Sequence, residues 1–369
     1  MENNRINLGG ALLGEELDYV EKINIEFDEN TGRITHIGKG YDYKGKDLRG
    51  YVAIPPLVNA HAHTADFTFP EVEITKSLKE LVGDPKSVKY EYFKKYRGKI
   101  VERIAQFLKY SKSLGIFTIV DFREEGIEGI KIALEADKIV AEVNHILLGR
   151  LDVFSEEELI KLHSISHGYG LPSVNSNSKD ELAKISTVFS DKIRGAHVSE
   201  TKRHYLRDDL EYLLSYYKPT LLIHGTNLNE PDFELISDIP LVVCPRSNLW
   251  FSAGIPRIAD AIEKDVKLLF GTDNGAWIDY NLWKDLELAY LLSRVQRPFT
   301  DFSKEILKGA TTTAYGIFNL NYGVEEGKTF LVVLLKKDEL SWAHNIYSAI
   351  VKRGSNLVSH SLGAIQNLK

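Results

Sequence analysis

Eight short apolar runs recur through the middle of the chain: "YVAIPPLVNAH", "GIFTIVDFRE", "VNHILLGRLD", "GLPSVNS", "IRGAHVSE", "TLLIHGT", "LVVCPRSN" and "VKLLFGTDN". Between them lie segments such as "VERIAQFLKYSKSL", "EGIKIALEADKIV", "KDELAKISTVF", "RDDLEYLLSYY" and "RIADAIEKD", whose apolar residues recur at three and four, the helical period. From His197 to His224 is 27 residues, to Cys244 another 20 and to Asp273 another 29. Each step fits one strand, one helix and two loops. Eight such units predict an α/β fold, a (β/α)8 TIM-type barrel. The alternative is an open doubly wound sheet, but no glycine fingerprint of the dinucleotide-binding kind supports it.

The ends of the chain read differently. "KINIEFDENTGRITHIGKG" alternates on both sides of the turn "DENTG", a hairpin pattern. After the eighth run the chain reads as helical to roughly residue 320. "GVEEGKTFLVVLL" and "NIYSAIVKRGSNLVSHSLG" then return to strand patterning. The two ends are predicted to pair into a small β-sandwich formed from the N- and C-terminal segments, 1–54 and 321–369, around a barrel at 55–320. Residues 64–100 exceed a usual βα loop. Such a loop on a barrel's C-terminal face covers the site and shapes the choice of substrate.

Composition narrows the partners. A chain of 369 residues with 43% hydrophobic and 27% charged residues is ordinary for a globular protein. A net charge of -6 without a basic tail argues against nucleic acid and for a small-molecule substrate. The start "MENNRINLGGALLGEELDYV" has no signal-peptide pattern, and no apolar run approaches a membrane span. The single cysteine, Cys244, excludes an internal disulfide and fits a reducing cytoplasm.

The candidate chemistry sits at the ends of the runs. His61 and His63 stand two apart, so on a strand they face the same side, about 6–7 Å apart along its axis. Alone, such a pair fits an exposed strand as well as a metal site. His197, His224 and Asp273 end the fifth, sixth and eighth runs. Singly, each also fits a hydrogen-bonded polar residue of the core. At matching positions of a βα series they converge on one barrel face. His61, His63, His197 and Asp273 supply three nitrogens and one oxygen, a set that suits one zinc or iron(II) ion and leaves a position for water. Glu200, three residues after His197, can move a proton from water to a leaving group, or simply favour a helix N-terminus. Arg150 and Arg246 can bind a substrate carboxylate or phosphate, or anchor loops. Asp66 and Asn248 are further substrate-binding candidates. Cys244 reads as packing, since no base is assigned to it, and His204 as a solvated helix residue. His145, His163, His167, His344 and His360 match no site position.

The ordered set "PPLVNAHAH", "HVSE", "IHGT", "CPRSNLWFSAGIPRIADAIEKDVKLLFGTDN" and "EEGKTFLVVLL" resembles the amidohydrolase superfamily. The resemblance is to the branch of cytosine, guanine and adenosyl-type deaminases and related chlorohydrolases, and it spans about residues 20–360. It implies a barrel with a β-sandwich, His61, His63, His197 and Asp273 on the metal, Glu200 as proton shuttle, and His224 polarising water or substrate. A homodimer is implied by the resemblance alone. Binuclear relatives carry a bridging lysine at the end of the fourth strand. Here that run ends "SVNSNS", with no lysine before Lys179, which favours one metal. Pro55 and Pro56 stand where many relatives have Pro-Gly, and "KTFLVVLL" where many have Asp-Ala-Asp-Leu; both lie outside the site.

The sequence therefore predicts a mononuclear metal-dependent hydrolase of non-peptide C–N bonds, with deamination of an amino-substituted heterocycle as the leading reaction. Hydrolysis of a cyclic amide, an amidine or a halide is the alternative. A non-catalytic relative is disfavoured because all six positions are intact.

Overall fold

The computed structural model describes residues 4–83 and 86–363. Four strands come first: β1 (Arg5–Leu13), β2 (Asp18–Phe27), β3 (Ile34–Lys39) and β4 (Lys46–Ile54). The hairpin legible in the sequence is β2–β3, paired antiparallel. Next come β5 (Leu57–His63), β6 (Ile116–Arg123), β7 (Asn144–Gly149), β8 (Gly168–Leu171), β9 (Ile193–Val198), β10 (Leu221–His224), β11 (Leu241–Val243), β12 (Leu268–Phe270) and β13 (Asp273–Asn274). Two strands close the series, β14 (Leu331–Lys336) and β15 (Val358–Gly363).

β5 to β13 form one parallel sheet, joined mostly by helices. β12 pairs with β11, and two residues later β13 pairs with β5. The eighth run is thus one interrupted strand that touches both ends of the sheet, as in a TIM-type barrel. Two residues make the interruption. Gly271 N donates to Val243 O at 3.1 Å, and a Cβ on Gly271 would lie 2.7–2.9 Å from His61. Only glycine lets the strand pass that close. Thr272 is then fixed by Asn59: Asn59 Nδ2 donates to Thr272 Oγ1 (2.8 Å), and Thr272 N donates to Asn59 Oδ1 (3.1 Å). Asp273 emerges beside Ala62, one residue from each of the two histidines of β5.

The terminal strands make a separate six-stranded sheet in the order β15-β14-β4-β1-β2-β3. Its side chains alternate between two cores. Leu331, Val333 and Leu335 of β14 join the large core, whereas Val332 and Leu334 join a smaller cluster with Ile6, Leu8, Ile23 and Ile25. This is the period-2 pattern of a sheet apolar on both faces.

Two readings from the sequence are corrected. Residues 346–357 form a helix, not a strand: only 358–363 pair with β14. Ile346, Tyr347, Ile350 and Val351 favour strands. Yet Ala349, Ile350, Gly354 and Leu357 recur at helical spacing and are buried, and Asn345 caps the first turn by accepting from Ser348 N. Gly354 lies against the Trp283 ring, where a Cβ would meet it at 2.0 Å. The fourth barrel strand also lies earlier than read, at Gly168–Leu171. Pro172 has no N–H to continue the ladder, and Ser173 starts a 3-10 turn over 174–176. Among the described residues, no helix is long and apolar enough to cross a membrane.

Asn59→Ala tests the closure. It leaves the Thr272 N–H and hydroxyl buried without partners and is expected to lower unfolding stability by about 2–4 kcal/mol. Chemical denaturation measures this; a loss below ~0.5 kcal/mol would remove Asn59 from the closure.

Candidate metal centre

Strand ends bring the predicted ligands together. On β5 the two-residue repeat points His61 and His63 to one side, and both are buried. His197 arrives from β9 and Asp273 from β13. One donor atom from each of these four residues lies within 4.8 Å of the others. His61 Nε2 is 3.2 Å from Asp273 Oδ1, and His63 Nε2 is 3.6 Å from the same oxygen. The His61 ring centroid lies 5.0 Å from that of His63 and 4.9 Å from that of His197.

A second ring of partners fixes which atom of each ligand faces inward. His197 Nδ1 donates to Leu171 O at 3.0 Å, which leaves Nε2 for the centre. His63 Nδ1 donates to Glu124 Oε1 at 2.7 Å, with the same result. Asp273 Oδ2 accepts from the Ser247 hydroxyl and from Asn274 Nδ2 (3.2 Å), which leaves Oδ1. Such partners set tautomer and orientation in metal sites. His61 Nδ1 is buried without a partner.

His224 and Glu200 stand beside this set. His224, ending β10, has its Nδ1 3.1 Å from Asn248 Nδ2 and its Nε2 3.8 Å from Glu200 Oε1. With the amide donating, the imidazole proton sits on Nε2 and faces Glu200. His224 (φ 71°), Asp273 (φ 64°) and Ser199 (φ 44°) all occupy the left-handed region. That backbone is costly for residues with a Cβ and clusters at functional sites. Asp209 holds Ser199 through its N–H (2.5 Å) and hydroxyl (2.6 Å), fixing the turn that carries Glu200.

The other candidates fall into two groups. Asp66 and Arg150 join a buried cluster with Lys89 and Glu124. Lys89 Nζ lies 2.6 Å from Glu124 Oε1 and 3.0 Å from Asp66 Oδ2, and Arg150 NH2 reaches Tyr90 OH (2.8 Å) and Glu124 Oε1 (3.4 Å). Asn248 holds His224. Arg246, in the short helix Pro245–Trp250, instead ties that helix to the segment that follows β13 through Asp285 Oδ2 (2.8 Å) and Asp279 Oδ1 (2.7 Å). Lys179 lies on the helix after β8 with its ammonium over Tyr212 and Tyr216, away from the strand ends.

Glu124, Lys89, Ser247 and Asn274 were not singled out from the sequence. Glu124 closes the second apolar run, so the strand-end rule would have found it. Lys89 lies in the long loop, where no period marks it. His145 is also more than a packing residue: its Nε2 is 3.2 Å from Asp121 Oδ2 and its Nδ1 is 2.7 Å from Asp137 Oδ1. Asp121 in turn accepts from Thr64 N (2.9 Å) and Oγ1 (2.6 Å), just after His63.

The donors suit a cation. Burial pushes His61, His197 and His224 below the usual imidazole range, His224 to about 4, so their nitrogens are neutral near neutral pH. Burial opposes the ionisation of Asp273, but the His61 hydrogen bond and the surrounding imidazoles outweigh it and hold the carboxyl well below its usual range. Burial, with Asp273 nearby, raises Glu200 to about 7. Three imidazoles and one carboxylate match zinc or iron(II) in ligand type and number.

Known proteins resemble the chain in sequence and in fold. Residues 52–359 match the amidohydrolase family. An uncharacterized protein of Methanocaldococcus jannaschii is 30% identical over 83% of this chain and 84% of its own length. A 5-methylthioadenosine/S-adenosylhomocysteine deaminase of Thermococcus sibiricus is 25% identical over 94% of this chain and 89% of its own. Atrazine chlorohydrolase TrzN from Arthrobacter aurescens TC1, solved complexed with zinc, superposes with a TM-score of 0.79 at 17% identity, covering 94% of this chain and 90% of that one. At that identity the likeness is one of fold.

The His145 clamp makes a pH prediction. Burial works against its charge, but hydrogen bonds donated to Asp121 and Asp137 prevail and raise its pKa to about 9. A raised folded pKa adds stability that is fully present below the unfolded value near 6.5 and lost as pH rises through about 9. His145→Gln is expected to cost roughly 3 kcal/mol at pH 6, with the gap to the parent narrowing from about pH 6.5 and largely closed above pH 9. Denaturation across that range checks this; a gap independent of pH would show that the charge does not contribute.

Proposed function

Because the chain belongs to the amidohydrolase family, we propose that it is a mononuclear metal-dependent hydrolase of non-peptide C–N bonds that deaminates an amino-substituted heterocycle. In this reading residues 55–320 are the hydrolase barrel, and 1–54 with 321–369 are a small β-sandwich domain around the cluster of Ile6, Leu8, Val332 and Leu334.

His61, His63, His197 and Asp273 hold the ion, zinc or iron(II). When bound, such an ion lowers the pKa of a coordinated water to about 7 and polarises the group under attack. The remaining work falls to the chain. Glu200, whose carboxyl is poised near neutrality, accepts the water's proton and delivers it to the ring nitrogen of the substrate. Asp273 shares the proton management. His224 Nε2–H donates to the oxygen on which charge develops, and Asn248 keeps that tautomer in place. The water's oxygen adds to the ring carbon, which becomes tetrahedral; a proton passed from that hydroxyl to the amino group through Asp273 and Glu200 then lets ammonia leave as the carbonyl forms. Asp66, Arg150 and Arg246 remain candidates for holding the substrate. The single observation that carries this reading is the position of Glu200, 3.8 Å from His224 at the edge of a three-histidine, one-carboxylate donor set.

The same apparatus serves a halide or a cyclic amide. The fold likeness to atrazine chlorohydrolase supports keeping that second reading. Ammonia release across aminopurines, aminopyrimidines, pterins and their nucleosides, run beside chloro-substituted and lactam analogues, separates the two. Glu200→Gln is expected to keep the ion, as counted by elemental analysis, and to lose about 10²–10⁴-fold in kcat. Turnover at the parent rate would overturn the shuttle assignment. Removing the ion with a chelator is expected to abolish turnover, with zinc or iron(II) restoring it.

A further inference from the structure

Beside the four donors lies a buried charge cluster whose lysine the mechanism above does not use. Lys89 comes from the short helix Val88–Lys95 in the loop after the first barrel strand. Its side chain is 3% exposed, and those of Asp66 and Glu124 are 0% exposed. The ammonium lies 2.6 Å from Glu124 Oε1, 3.0 Å from Asp66 Oδ2 and 3.5 Å from His63 Nδ1. Among the described residues, Lys89 is the hydrogen-bond partner of the Asp66 carboxylate, whose other oxygen, Oδ1, is buried with none. Arg150 and Arg123 reach Glu124 at 3.4 and 3.5 Å, but neither is paired with Asp66.

Two carboxylates in a dry pocket need a cation between them. Carboxylate oxygens beside an imidazole edge are also the donor types that bind a divalent ion. We propose that Lys89 is the resident cation of this second pocket, standing where a further divalent ion would bind, and that it thereby limits the centre to one metal. The proposal rests on reading His61, His63, His197 and Asp273 as the ligands of the first ion. It gives the long loop a role beyond covering the site: the loop carries the charge that completes the centre. The missing fourth-strand lysine removes one route to a second ion, and Lys89 closes another, on the opposite side of His63 from its Nε2.

The test counts ions bound by the full-length protein titrated with manganese(II), reading free ion by electron paramagnetic resonance. The parent is expected to stop at one ion. Lys89→Ala is expected to take two, and Lys89→Ala combined with Asp66→Asn to return to one. Lys89→Ser serves in case the alanine variant does not fold. A parent that takes two ions overturns the proposal, as do Ala and Ser variants that stop at one. A parent that takes none overturns the ligand reading itself.

Discussion

The centre depends on one buried carboxylate. Asp273 can stay ionised inside the barrel only if both of its oxygens are occupied by donors or cations. Ser247 and Asn274 take one oxygen; the other lies against His61 and His63. This division explains much of the surrounding architecture. The eighth strand must break to turn the carboxylate inward, the break must be glycine to clear His61, and Asn59 must fill the hydrogen bonds that the break leaves open. The left-handed backbone at Asp273 is part of the same arrangement.

The outer partners impose direction as well as position. A histidine has two nitrogens and can present either. Glu124 and the Leu171 carbonyl each take the Nδ1 side of one imidazole, so the Nε2 lone pairs of His63 and His197 point inward. Asn248 does the reverse for His224, whose inward nitrogen carries a proton. Neighbouring histidines are therefore set apart chemically, two as lone-pair donors and one as a hydrogen-bond donor. The difference comes from groups one layer away.

Much of this was legible in the sequence because it is periodic. The β5 histidines obey a period of two, and His197, His224 and Asp273 end apolar runs at regular spacing, so pattern alone set them on one face. Glu124 obeys the same rule and was passed over because it follows the charged pair Asp121 and Arg123. Lys89 could not be read that way: it lies in an irregular loop, and only tertiary packing brings it 26 residues back to His63. Ser247 and Asn274 look like ordinary turn residues until Asp273 is placed beside them. At the C-terminal end, strand-forming side chains outweighed a helical spacing that burial against Trp283 decides.

The interrupted eighth strand has a mechanical consequence. β12 belongs to the ladder of β11 and β13 to that of β5; between them Gly271 still bonds Val243 of β11, and Thr272 is held by Asn59 of β5. The Asp273 carboxylate is therefore tied to two walls: its backbone sits beside the histidine strand, and its Oδ2 accepts from Ser247, just after β11. A shift of β11 thus reaches the centre through Ser247, so the ligand geometry depends on both walls of the barrel keeping their register.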